Sequence, residues 1–302
     1  MSTTETPEGS PVAGILWMLA TGANFVAVTA IVKYVGDGLP AAQSAFMRYA
    51  LGLVFIIPMI PAMRREPLDR TSATLFAVRG FVHSIGVMAW FYAMTQITIA
   101  EVTALGYLNP VFVTLGAALL LGERLALRRL TAVAAALIGA MLIIRPGFRE
   151  LSLGHFSILG TAVFFAASYL IAKTLTDRYS PPVVVGWLSV TVTIGLAPFA
   201  AAVWVTPTWE DTAWIFLVAV FATAGHYTMT LAFRAAPLTV TQPVTFLQLV
   251  WATLLGALVF SEPVDGWVIA GGTLILAAVS FITWREAVLK RRATPSDVQT
   301  KI

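Results

Sequence analysis

The sequence predicts an all-α polytopic membrane protein: ten transmembrane helices built from two inverted five-helix repeats. Three observations predict it. The chain is too poor in charge for a water-soluble body, it contains ten apolar runs of bilayer-spanning length, and its second half repeats the first at a spacing of about 139 residues.

Of the 302 residues, 58% are hydrophobic and 11% charged. Soluble domains carry about a quarter charged residues, so apolar side chains here must face lipid as well as core. The mean hydropathy is +0.84. There are no cysteines, which excludes disulfide frameworks, thiolate metal sites and a cysteine nucleophile.

The apolar runs span roughly 12–34, 40–61, 72–95, 98–120, 126–144, 154–174, 182–204, 212–233, 238–260 and 265–284. About 20 residues of helix cross the hydrocarbon core. The runs are continuous and not alternating, so they are helices and not barrel strands. Residues 1–11 read as an N-terminal tail, with Glu5 and Glu8 and without the basic n-region of a cleaved signal. Residues 12–144 and 154–285 form the two five-helix repeats of one membrane domain, and 286–302 a polar, disordered tail. Turn chemistry at Gly36–Asp37–Gly38–Leu39–Pro40, Arg145–Pro146–Gly147 and Ser180–Pro181–Pro182 separates neighbouring spans.

Fourteen Lys and Arg residues, from Arg64 to Lys301, fall in loops on the side of the N-terminus. The other side has Lys33, Arg145 and Arg149, and Arg48 and Arg79 lie within spans. By the positive-inside rule both termini are cytoplasmic, which places a multi-pass protein in a cell inner (plasma) membrane.

Ala93 through Glu123 aligns without gaps onto Ala232 through Glu262, placing Asn109 on Gln248 and Glu123 on Glu262. Lys33 has its counterpart in Lys173. Because each unit has five helices, the second enters the membrane the opposite way round. Inverted repeats are a transporter signature, with the substrate near midplane between the halves.

Polar groups within spans are the candidate site. Helical spacing stacks Arg79, His83, Val87, Trp90 and Met94 on one face of the third span. That reads as a cavity wall, or else as a histidine bonded to a neighbouring helix. His226, with Thr223 and Thr230, is a candidate partner for His83. In the first span Asn24 stacks with Trp17, Thr21 and Val28. In the ninth, Gln248 lies on a stripe with Thr241, Thr245 and Ala252, one turn from Trp251. Asn109 precedes Pro110, which frees a backbone carbonyl. Amides and hydroxyls bind an ammonium or a carboxylate, and Trp stacks on a ring. The same amides also serve as interhelical glue, and both readings stand for Asn109 and Gln248. Arg48 and Arg79 are read either as carboxylate ligands or as structural pairing partners. Glu101 gates or faces water; Glu123 and Glu262 are interfacial pairing partners.

No Walker lysine loop, His-Glu-x-x-His or Gly-x-Ser-x-Gly pattern occurs. The chain is therefore read as a non-enzyme with no cofactor, no metal and no nucleic-acid partner. Its partners are the lipid bilayer and a small-molecule substrate.

The chain resembles the drug/metabolite transporter superfamily, specifically the ten-helix EamA-type proteins. The resemblance rests on Phe46–Met47–Arg48, Ala93, Ala100–Glu101–Val102–Thr103–Ala104, Asn109–Pro110, Leu120–Leu121–Gly122–Glu123 and the small residues around Gly139. Leu258–Val259–Phe260–Ser261–Glu262–Pro263 repeats it in the second half. The chain departs from the family pattern at Leu249, where a proline is usual, and at Leu188, which stands opposite Arg48. Within the superfamily it is most similar to the aromatic amino acid exporter (YddG) group. That resemblance implies export of amino acids, aromatic and of broad range, by alternating access. The alternatives are a nucleotide-sugar or cofactor-like metabolite, or multidrug efflux.

Overall fold

In the computed structural model, residues 11–121, 127–236 and 238–293 are described. The 1–10 and 294–302 segments of the tails, Glu123 and Arg124 lie outside these residues. Among the described residues there is no strand. The described residues form ten helical spans, in order: α1 (Pro11–Val35), α2 (Ala41–Arg65), α3 (Arg70–Gln96), α4 (Ile99–Gly106 with Asn109–Leu121), α5 (Leu127–Ile144), α6 (Leu153–Thr176), α7 (Pro181–Ala202), α8 (Trp209–Ala235), α9 (Leu238–Thr241, Gln242–Thr245 and Phe246–Phe260) and α10 (Gly266–Ala293). The apolar runs match these spans to within a few residues. The main difference is at the end: α10 continues through Ala293, where the sequence suggested disorder after Trp284.

Local chemistry sets the starts. Asp69 caps α3 by accepting from the Ser72 amide at 3.2 Å. Thr98 with Glu101, and Thr208 with Asp211, form capping boxes at α4 and α8. Within α2, the stretch Leu53–Met59 around Pro58 tightens to a 3-10 turn because proline removes an N–H from the ladder.

Two spans are broken, and they are repeat mates. Span α4 consists of Ile99–Gly106 and Asn109–Leu121, with Tyr107 and Leu108 between them. Pro110 cannot donate to the Gly106 carbonyl, which explains the interruption. Span α9 consists of Leu238–Thr241, a 3-10 stretch Gln242–Thr245 and Phe246–Phe260. The absence of a proline at Leu249 does not abolish the break; it appears about one turn earlier.

The dominant helix packings join the two halves: α1 on α8, α3 on α6, α5 on α10 and α2 on α7. The pseudo-two-fold carries α1 on α8 into α6 on α3. Neither half has a complete core of its own. At the α5–α10 crossing, a methyl on Gly139 would meet the Gly271 carbonyl at 2.7 Å, so glycine is what permits the approach.

Ties between the halves mark both membrane faces. At the distal face, opposite residue 11, Lys33 Nζ lies 2.5 Å from Glu262 Oε1, and Arg145 pairs with Asp265. Arg149 approaches Glu101 at 2.6 Å, and His155 Nε2 lies 3.5 Å from the same carboxylate oxygen. Glu101 is thus buried and paired, and does not face water. At the N-terminal face, Ser180 donates to Glu66 from its hydroxyl (2.6 Å) and amide (2.9 Å), and Tyr179 donates to Asp69 at 3.2 Å.

Candidate functional site: a cavity between the repeats

A cavity of about 330 Å³ lies between the halves, lined by α1, α2, α3, α4, α6, α8, α9 and α10. A wider, shallow depression of about 520 Å³ at the distal edge is lined mainly by apolar and small residues such as Leu39, Met88 and Val203, without a charged side chain. Polar groups converge in the inner cavity, so that is the candidate site.

One wall is a ladder of rings. The Arg48 guanidinium carbon sits 4.0 Å over the Tyr49 ring. The Tyr49 hydroxyl is 3.1 Å from His83 Nε2, and Ser168 Oγ is 3.1 Å from His83 Nδ1. His83 stacks on Phe165 at 4.6 Å, and Phe165 meets Trp90 edge-on at 6.4 Å. The opposite wall carries His226 edge-on to Phe25 at 5.3 Å. Phe25 and Phe165 are 140 residues apart, the spacing of Lys33 and Lys173. Each lies beside a glycine of the partner helix, Gly225 and Gly86 respectively, and against a histidine. The two walls are thus a symmetric pair. Tyr107, at the break in α4, donates to the Thr245 carbonyl in α9 at 2.7 Å and joins the two broken helices across the two-fold.

The hydrogen bonding separates glue from available groups. His83 is glue, tying α2, α3 and α6 together. His226 and Gln248 line the cavity, and their side chains have no hydrogen bond among the described residues. Asn109 Oδ1, beside the Tyr169 hydroxyl, has no well-formed bond either. Arg48 has neither a hydrogen bond nor an ion pair there. An Arg at mid-bilayer costs about 2.5–3.5 kcal/mol on insertion scales, and a cation–π contact returns about 0.5–2 kcal/mol. Tyr49 alone therefore leaves the Arg48 cation incompletely compensated.

Of the residues singled out in the sequence, Arg48, His83, Trp90, Asn109, His226, Thr245 and Gln248 line the cavity. Four do not. Trp17 is 41% exposed on the outside of α1. Asn24 turns its amide back to the Ala20 carbonyl at 2.7 Å. The α1 stripe on the cavity is Met18, Thr21, Phe25 and Thr29, turned about the helix axis from the expected one. Trp251 packs with Val26, Ile99 and Ala252. Arg79 points to α7, where its guanidinium donates to the Val184 carbonyl at 3.1 Å. Sequence reasoning missed Phe25, Tyr49, Tyr107, Phe165 and Tyr169. The 140-residue spacing was the signal for Phe25 and Phe165.

Two interlocked five-helix repeats of opposite orientation, with broken helices beside a polar midplane cavity, define a membrane carrier and not an enzyme. The chain belongs to the EamA-like transporter family, whose model matches residues 12–145 and 152–284. It is 30% identical to a riboflavin transporter of Vibrio cholerae, over 93% of this chain and 96% of that one. It is 31% identical to a riboflavin transporter of Rhizobium johnstonii, over 93% and 94%. A pseudopaline exporter of Pseudomonas aeruginosa is 28% identical over 88% and 94%. A protein crystal structure shares the fold, with a TM-score of 0.59 at 17% identity over 94% of this chain and 99% of that one. The chain is a small-metabolite transporter; none of these relatives' names specifies amino-acid export.

Proposed function

We propose that this protein is a secondary carrier of a metabolite bearing a planar aromatic ring, working by alternating access in a bacterial inner membrane. The observation that carries this reading is the ring-walled cavity between the halves, in which the Gln248 amide and the His226 imidazole have no hydrogen bond among the described residues. A flat ring stacks on Trp90 and Phe165, while Asn109, Gln248 and His226 are available to its polar edge. Two riboflavin transporters among the relatives support a flat heteroaromatic cargo. An aromatic amino acid satisfies the same walls, and Arg48 favours it as the second reading, since a carboxylate matches a guanidinium. Trp90, Asn109, His226, Thr245 and Gln248 are the proposed cargo contacts, and His83 positions Tyr49 and Phe165. The N-terminal face is proposed to be cytoplasmic: each distal cation, Lys33, Arg145 and Arg149, is offset by a carboxylate, whereas arginines accumulate at the other face. Ligand-induced thermal shifts of purified protein test the cargo class. Riboflavin, tryptophan or phenylalanine should raise Tm, whereas threonine and methionine should not; a shift with the last two alone would overturn the aromatic reading.

A further inference from the structure

We infer that Arg48 is the docking point for an anionic group on the cargo, so that the preferred substrate combines a flat ring with a carboxylate or comparable monoanion. This inference rests on the aromatic-cargo reading above and sharpens it. Three observations carry it. Among the described residues lining the cavity there is no Asp or Glu; the carboxylates Glu101, Glu262 and Asp265 are engaged at the distal face, and Glu66 and Asp69 at the other. The Arg48 guanidinium sits over the Tyr49 ring and, among the described residues, has no hydrogen bond or ion pair. His83 and His226, which share the cavity with Arg48, are not acidic.

Arg48 is half-buried and lines the cavity, and an arginine within a transmembrane span faces a cavity, pairs with a partner or marks a substrate path. The described lining residues supply no anion, so we assign that role to the cargo. The geometry also orients the cargo. Tyr49, fixed by its bond to His83, holds the guanidinium on the α2 side, and Phe165 and Trp90 continue the same wall. A ring stacked on Phe165 and Trp90 would direct a short carboxylate arm toward Arg48. Leu188 occupies the symmetric position in the other half, so the cavity offers one such point and the cargo has one orientation.

The test uses four probes with the purified full-length protein in nanodiscs, read by calorimetric titration: indole-3-acetate, indole, tryptamine and hexanoate. The first three share a ring and differ in charge. Wild type should bind indole-3-acetate at least ten-fold more tightly than indole or tryptamine. Arg48→Gln should remove that preference while leaving indole binding unchanged, and Arg48→Lys should retain most of it. Wild-type thermal unfolding and gel-filtration profiles in both variants separate this from misfolding. Equal binding of tryptamine and indole-3-acetate would overturn the inference, as would an Arg48→Gln variant that keeps the preference or weakens all probes alike. Arg48-dependent binding of indole-3-acetate and hexanoate, without indole binding, would keep the anion point and overturn the aromatic reading instead.

Discussion

Lys33 at the end of α1 and Glu262 at the end of α9 form an ion pair of 2.5 Å that bridges the two halves at the distal face. The same ammonium donates to the Ile97 carbonyl at 2.7 Å, and the other carboxylate oxygen accepts from the Ile99 amide at 2.9 Å. One pair therefore holds the α3–α4 connection from both sides. Their side chains are 19% and 9% exposed, so water screens the pair only weakly. Removing one partner should weaken this distal tie by on the order of 1–3 kcal/mol, below the value for a fully buried pair. Because the chain has no cysteine, Thr103→Cys gives a clean reporter inside the cavity. Adding Glu262→Gln should raise its labelling by an impermeant maleimide from the distal side about ten-fold. Unchanged labelling would show that this pair does not limit access to the cavity from the distal side.

The α5–α10 crossing predicts a steric effect. Gly139→Leu would drive a side chain into the Gly271 carbonyl and Ile275. Overpacking of this kind costs about 1–3 kcal/mol, seen as a lower Tm in detergent. Gly160→Ala, with nothing within 4 Å of the added carbon, should leave Tm within error.

Gln248 and His83 should separate transport from stability. Gln248→Ala removes an amide with no hydrogen bond among the described residues and keeps the Cβ that packs on Gly22, so transport should fall at least five-fold with Tm unchanged. His83→Ala breaks the bonds to Tyr49 and Ser168, and should lower stability by about 1–3 kcal/mol. Equal effects on Tm would remove the distinction between available group and glue.

The loop tie at the N-terminal face predicts a pH dependence. Hydrogen bonds from the Ser180 hydroxyl and amide hold the Glu66 carboxyl below its ordinary value. A depressed carboxylate contributes stability above its unfolded value of about 4.3 and loses it as pH falls through the folded one. Ser180→Ala should therefore lower Tm slightly at pH 7, and the difference should shrink toward zero below about pH 4. A difference that grows on acidification would contradict the assignment.

The spans were legible because bilayer thickness imposes a length and composition that single residues cannot mask. The repeat was legible through Asn109 with Gln248 and Lys33 with Lys173. Which way each helix faces was less so. An amphipathic stripe in water separates polar from apolar, whereas in lipid both faces of α1 are largely apolar, so the sequence does not distinguish the stripe of Trp17 and Asn24 from that of Phe25. Trp251 is ambiguous for a related reason: an indole several residues inside a span suits a helix interface, where it packs with Val26 and Ile99, as well as a binding wall. Tyr49 and Tyr169 were unreadable because only the α2–α3–α6 contact gives them a role. The pairing of Glu101 with Arg149 and His155 likewise needed the fold, since their separation along the chain gives no hint of contact.

The central claim is that the ring-walled cavity carries the cargo across the membrane. Counterflow measures it most directly: proteoliposomes loaded with unlabelled riboflavin or tryptophan are diluted into the labelled compound, for wild type and for Trp90→Ala/Phe165→Ala. The account predicts a transient labelled uptake with wild type and its loss in the double variant, with folded protein retained. Full counterflow in the double variant, with cargo transported as by wild type, would contradict it.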